Sequence, residues 1–159
     1  MDSRLLRSDE LGIRLEIVRG LPLWEASPAY NHQRAVDLVR ASIRPCEGSA
    51  CACVHVADVY IEFPDGSLKR PDISVFCREP EATDEALTVV PEAVIEIISK
   101  GYEAKDLDIG PPFYLSQGVR DVVVFNPYNG EARHFREGRE TVRKSPAEIE
   151  LLCGCRCTV

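Results

Sequence analysis

The chain has 159 residues, 45% of them hydrophobic, which fits one domain over residues 1–159 with a single sizeable core. Its net charge of −7 counts against a protein that coats nucleic acid through a broad basic face, although one local patch is enough for a nuclease. No apolar run approaches the roughly 20 residues of a membrane span, and the polar stretch Met1 to Glu10 has no signal-peptide core, so the expected location is the cytoplasm.

Residues 1–11 read as a flexible or helical lead-in. Arg14 to Glu25, interrupted by Gly20 and Pro22, reads as a hairpin or bent strand pair, with Glu16 as an exposed strand charge. Ser27 and Pro28 form a helix start, a capping residue followed by a proline at the first helical position. The helix is expected from Pro28 to about Ile43. His32, Val36, Val39 and Ile43 share one face of it, which places His32 on the core side.

Cys51 to Phe63 reads as one long central strand, and Pro64 to Ser67 as the turn that joins it to an antiparallel strand from Asp72 to Cys77. An acidic loop follows over Glu79 to Val90. Ala93 to Ser99 is a strand with Val94, Glu96 and Ile98 on one side and Ala93, Ile95 and Ile97 on the other. Tyr102 to Asp108 is a helical turn or ordered loop, and Gly110-Pro-Pro112 is expected to break any helix begun there. A short helix runs from about Pro111 to Gln117. Arg120 to Asn126 is a buried strand, joined to Glu131–Glu137 by a type I′ turn at Asn129-Gly130. Glu148 to Val159 reads as the last strand. The order of elements predicts an α/β or α+β domain, with a mixed central β-sheet flanked by helices.

Seven cysteines, an odd number, argue against a disulfide framework and for reduced, buried thiols. In a strand, Cys153, Cys155 and Cys157 would share one face. A thiolate metal site that adds Cys51 or Cys53 to them is an alternative, but C-x-C spacing along a strand gives a poor tetrahedral bite.

Asp72 and Glu96 carry the chemistry. Each stands in a β-branched run where a hydrophobe is expected, and a buried carboxylate is costly unless it is paired or binds a metal. Two such acids on adjacent strands suit Mg²⁺ or Mn²⁺, which need few protein ligands and activate water for phosphodiester hydrolysis. The carbonyl of Ile97 is a candidate third ligand. A lysine nearby would orient or deprotonate the water. Lys69, Arg70, Lys100 and Lys105 are the cations close by in sequence, and together they are the expected local basic patch for DNA.

Pro71-Asp72 followed by Glu96-x-Ile98 resembles the degenerate PD-(D/E)XK nuclease motif. The wider pattern resembles the Uma family of restriction-endonuclease-type proteins. It comprises Glu16-x-x-x-Gly20, Pro28 and His32, Arg70-Pro-Asp72, Pro91-x-x-Val-Ile-Glu-Ile-x-Ser99, Asp106-Leu, Tyr114, Gly118-Val and Val-Val-Phe-Asn-Pro127. The resemblance implies a restriction-endonuclease-like PD-(D/E)XK core, Mg²⁺ or Mn²⁺ held by Asp72 and Glu96, Glu16 and His32 in the same cleft, DNA as partner, and a homodimer.

The departures from the pattern concern the lysine and the residue before the last proline, where Asn126 replaces the family's Asp. Strict spacing would place the lysine at Ile98. The later slot used by many Uma-type sequences, between the Asp and the Tyr, holds Gly110. Lys105 is the first substitute and Lys100 the second. If neither reaches the metal, the alternative is a catalytically impaired nuclease-fold dimer that acts as an interaction module.

Overall fold

A computed structural model describes residues 3–25, 27 and 29–159. In chain order it contains α1 (Ser3–Glu10), β1 (Leu15–Val18), β2 (Leu21–Trp24), α2 (Tyr30–Ser42), β3 (Arg44–Pro45), β4 (Val54–Val56), β5 (Ile61–Glu62), β6 (Leu68–Lys69), β7 (Ile73–Phe76) and β8 (Ala93–Ile97). A π-helical turn (Lys105–Ile109) then leads into α3 (Gly110–Ser116), followed by β9 (Asp121–Asn126), β10 (Glu131–Arg136), β11 (Arg139–Lys144), β12 (Glu148–Glu150) and β13 (Cys155–Thr158).

The main sheet has the order β11-β10-β9-β8-β7-β4, with β8 parallel to β9 and every other neighbouring pair antiparallel. Strands β7, β8 and β9 lie inside it because their Val and Ile side chains are apolar on both faces. On one face Ala93, Ile95 and Ile97 pack against Ala35, Val36 and Val39 of α2 and against β13. On the other, Val94 and Ile98 pack against Phe113 and Tyr114 of α3. The expected sidedness of β8 therefore holds. Each fully buried Val or Ile contributes about 1.5–3 kcal/mol, so burial in these three strands is a large share of what holds the fold together. A second sheet, β2-β1-β6-β5, meets α1 through Leu5, Ile17 and Leu68. A third has the order β12-β13-β3. No helix among the described residues is long and apolar enough to cross a membrane.

Several expectations are corrected. Cys51 to Phe63 is not one central strand. It breaks into β4, an edge strand of the main sheet, and β5, an edge strand of the second, because Cys53 and Asp58 take left-handed conformations at φ 50° and 58°. Helix α2 begins at Tyr30 after Ala29, with no side-chain cap, so Ser27 does not cap it. Pro28 lies outside the described residues. Gly110-Pro-Pro112 does not break the helix, which is continuous over 103–116. Pro111 and Pro112 lack amide donors, and the chain widens to a π turn just before them, where the Gly110 amide donates to the Lys105 carbonyl.

The Asn129-Gly130 segment is part of a four-residue loop between Asn126 and Glu131, with only Gly130 at positive φ, so it is not a two-residue type I′ turn. Strand β11, exposed along its whole length, has no apolar alternation to announce it. The expected last strand is a hairpin, β12 to β13, that turns at 151–154.

The cysteines depart most from expectation. Cys51 pairs with Cys77 and Cys53 with Cys155 as disulfides, while Cys46, Cys153 and Cys157 are free. The Cα separations of 4.4 and 5.8 Å are within bridging range. An odd count does not exclude disulfides when the chain brings distant thiols together.

Candidate active site

Strands β7 and β8 pair Ile73 with Ile95. Continuing that register by one residue sets Asp72 opposite Glu96. The Asp72 amide donates to Glu96 Oε2 at 3.2 Å, and the Ile97 amide donates to Asp72 Oδ2 at 2.7 Å. Helix α2 delivers His32, whose Nε2 lies 3.2 Å from Asp72 Oδ2. From α3, the Tyr114 hydroxyl donates to Glu96 Oε1. The two acids are thus held by four hydrogen bonds on adjacent strands and face a narrow cleft. Lys105, Asp106, His32 and Ile97 also line it.

The electrostatics are those of crowded anions. Burial, then the Asp72 and Asp106 charges, raise Glu96 well above the usual carboxylate range, against the pull of Lys69 and Lys105. Burial also pushes Asp106 up to about 6. His32 is raised by its hydrogen bond to Asp72, although burial opposes this.

Glu16 is not an exposed strand charge. It is 1% exposed and lies behind the cleft wall. The Lys69 ammonium donates to its Oε2 at 2.7 Å and the Arg70 amide to its Oε1 at 2.9 Å, while Lys105 Nζ lies 3.2 Å from Oε2. Burial would raise Glu16, but the Lys69 and Lys105 charges bring it down to about 2. Lys105 is shared with Glu25, 3.2 Å away. Burial is the largest influence on Glu25 and, with the Glu16 charge, pushes it up to about 7. Burial opposes the Lys105 ammonium, yet Glu16 and Glu25 raise it far above an ordinary lysine.

The expected basic patch does not form. Lys69 is 2% exposed and paired, Arg70 pairs with Asp58 at 3.1 Å, and Lys105 is held as described. Lys100 is exposed and does not line the cleft. Asp72, Glu96, Ile97, His32 and Lys105 do converge there. Sequence reasoning did not assign site roles to Tyr114, Asp106 or Glu25, and gave Lys69 only a place in the basic patch. Asp106 and Tyr114 had a signal in the motif pattern, but the other two are placed only by long-range strand pairing.

The donor set fits a hard divalent cation. Asp72, Glu96 and Ile97 line the cleft and offer hard oxygen donors, and the charge on Glu96 is unfavourable without a counter-charge.

A family model described as "Uma2: Putative restriction endonuclease" matches residues 2–153. A crystal structure described as a "putative nuclease belonging to DUF820" from Anabaena variabilis superposes with a TM-score of 0.66 at 18% identity, covering 86% of this chain and 80% of that one. At that identity the likeness is one of fold. No curated protein matches the chain. With its family pattern running through almost the whole sequence onto a restriction-endonuclease-like fold, the chain belongs to the Uma2 family.

Proposed function

We propose that the protein is a metal-dependent DNA endonuclease in which Asp72, Glu96 and the Ile97 carbonyl hold Mg²⁺ or Mn²⁺. The observation that carries this reading is the placement of Asp72 directly opposite Glu96, which forces two carboxylates together at a cleft wall. A cation bound there supplies an acidified water and neutralises charge on the scissile phosphate.

The chain's own residues do the rest. The Ile97 amide and His32 fix the Asp72 carboxylate, and Tyr114 fixes that of Glu96. Lys105 stays charged, because the Glu16 and Glu25 carboxylates stabilise its ammonium, so it orients the water and meets the phosphate and does not act as a base. Asp106, pushed up to about 6, is the cleft carboxylate suited to accept a proton near neutral pH. Glu16 positions Lys105 and the chain at Arg70 from behind the wall. We assign DNA as the substrate and a homodimer as the working form, since cutting both strands calls for two sites.

Plasmid DNA incubated with Mg²⁺ or Mn²⁺ tests this beside the Asp72→Ala variant. Nicking by the parent alone is expected, and equal nicking by both, or by neither, overturns the assignment. A second reading, an inactive binding module, is favoured by Gly110 standing in the lysine slot. That reading expects no nicking and no divalent-metal binding in calorimetry that depends on Glu96.

A further inference from the structure

The face of the main sheet that carries α2 and β13 collects more sulfur than two disulfides require. The Sγ atoms of Cys51, Cys153 and Cys155 all lie within 4.8 Å of one another, and those of Cys51 and Cys155 are 3.4 Å apart. Cys77 and Cys53, disulfide partners of two of these, bring a fourth and a fifth sulfur to the same place. Cys155 is fully buried, Cys51 and Cys53 nearly so, and Cys153 half-buried. None of the five lines the carboxylate cleft.

The backbone explains how C-x-C pairs converge. Gly154, at φ 89°, turns the chain between Cys153 and Cys155, so the pair straddles a tight turn and does not lie along a strand. Cys53, at φ 50°, makes a similar break beside Cys51. The poor bite expected of this spacing in a straight strand therefore does not apply. Of the two remaining sulfurs, that of Cys77 points at the Cys153 carbonyl at 3.7 Å, whereas that of Cys53 turns to the Cys51 carbonyl at 3.6 Å.

We propose that the reduced chain holds a structural Zn²⁺ through Cys51, Cys77, Cys153 and Cys155. Tetrahedral zinc with bonds of about 2.3 Å spaces its sulfurs about 3.8 Å apart, which the spread of these thiols brackets. An all-sulfur donor set excludes Mg²⁺ and Ca²⁺ and selects a soft or borderline cation. The metal would clip the edge of the main sheet at β4 and β7 to the 151–154 turn. To reach this state, each disulfide takes two electrons and two protons from a dithiol reductant of the thioredoxin class, which leaves as its own disulfide. The four ligand thiols then release their protons to solvent as Zn²⁺ binds.

The full chain, reduced with a phosphine and stripped with chelator, is titrated with Co²⁺ and then Zn²⁺. A sulfur-to-cobalt charge-transfer band with tetrahedral d–d bands should saturate near about one equivalent and bleach on adding Zn²⁺. Cys155→Ser should lose the band and Cys46→Ser should keep it. If Cys155→Ser does not fold, Cys153→Ser at the half-buried turn gives the same reading. No charge-transfer band in the reduced parent, or an unchanged band in Cys153→Ser, overturns the proposal.

Discussion

The Tyr114 hydroxyl donates to Oε1 of Glu96 from a ring with no exposed surface. Glu96 itself is raised by burial and by Asp72, so without metal its carboxyl tends to hold a proton. Metal binding should therefore release a proton from the site. Calorimetric titration with Mg²⁺ or Mn²⁺ in buffers of different ionisation enthalpy should show heats that vary with the buffer. Tyr114→Phe removes a donor to the ionised form of Glu96, and metal affinity should fall roughly tenfold or more.

Glu96→Gln and Asp72→Ala should part company in stability while both abolish nicking. Gln at 96 is a neutral isostere of a carboxyl that tends to hold a proton without metal, so its melting temperature in chelator should stay close to the parent's. Asp72→Ala strips the Ile97 amide of its acceptor and His32 of its partner, at a cost of about 1–3 kcal/mol. Thermal melts in chelator, beside the nicking assay, read both.

Glu16, behind the cleft wall, and Glu25, in its lining, respond to pH in opposite senses. Glu16 is lowered from 4.5 to about 2, so the stability it contributes is complete above pH 4.5 and is lost as pH falls toward 2. Glu25 is raised from 4.5 to about 7, so the folded state pays nothing for it below pH 4.5 and bears the full cost above about 7. Glu25→Gln should therefore gain melting temperature relative to the parent as pH rises from 4.5 to about 7. A difference that stays flat over that range would count against the arrangement.

Lys69 and Lys105 both reach Glu16, yet their loss should not look alike. Lys69→Ala leaves Glu16 buried beside a single remaining cation and should destabilise by about 3–5 kcal/mol. Lys105→Ala removes a fixed positive charge at the cleft wall and should lower the nicking rate about 100-fold while the chain stays folded. Denaturant melts and single-turnover nicking separate the two effects.

Asp72 and Glu96 were legible in the sequence because each interrupts a β-branched run, and His32 was legible from its helical spacing with Val36 and Val39. The sheet centre was legible for the same reason, through alternation in β8 and the apolar runs of β7 and β9. Lys69 was not legible. It reads as a surface cation until Ile17 pairs with Leu68 and sets it beside Glu16, a relation spanning 53 residues. The break at Asp58 left no trace either, since a left-handed residue in an apolar run looks like any other. The Cys53–Cys155 contact, with a sequence separation of 102, is a product of the whole topology.

The π turn at Lys105–Ile109 fixes a helical phase. Each residue of an α-helix advances the side chain by about 100° around the axis. Tyr114 donates to Glu96 from one end of a continuous helical stretch, while Lys105 and Asp106 line the same cleft from the other, and the π turn between them shifts their angular relation from that of an unbroken α-helix. The reach of the cation in a chain with glycine at position 110 is thus set by rotation as well as by residue identity, through the two prolines that follow that glycine.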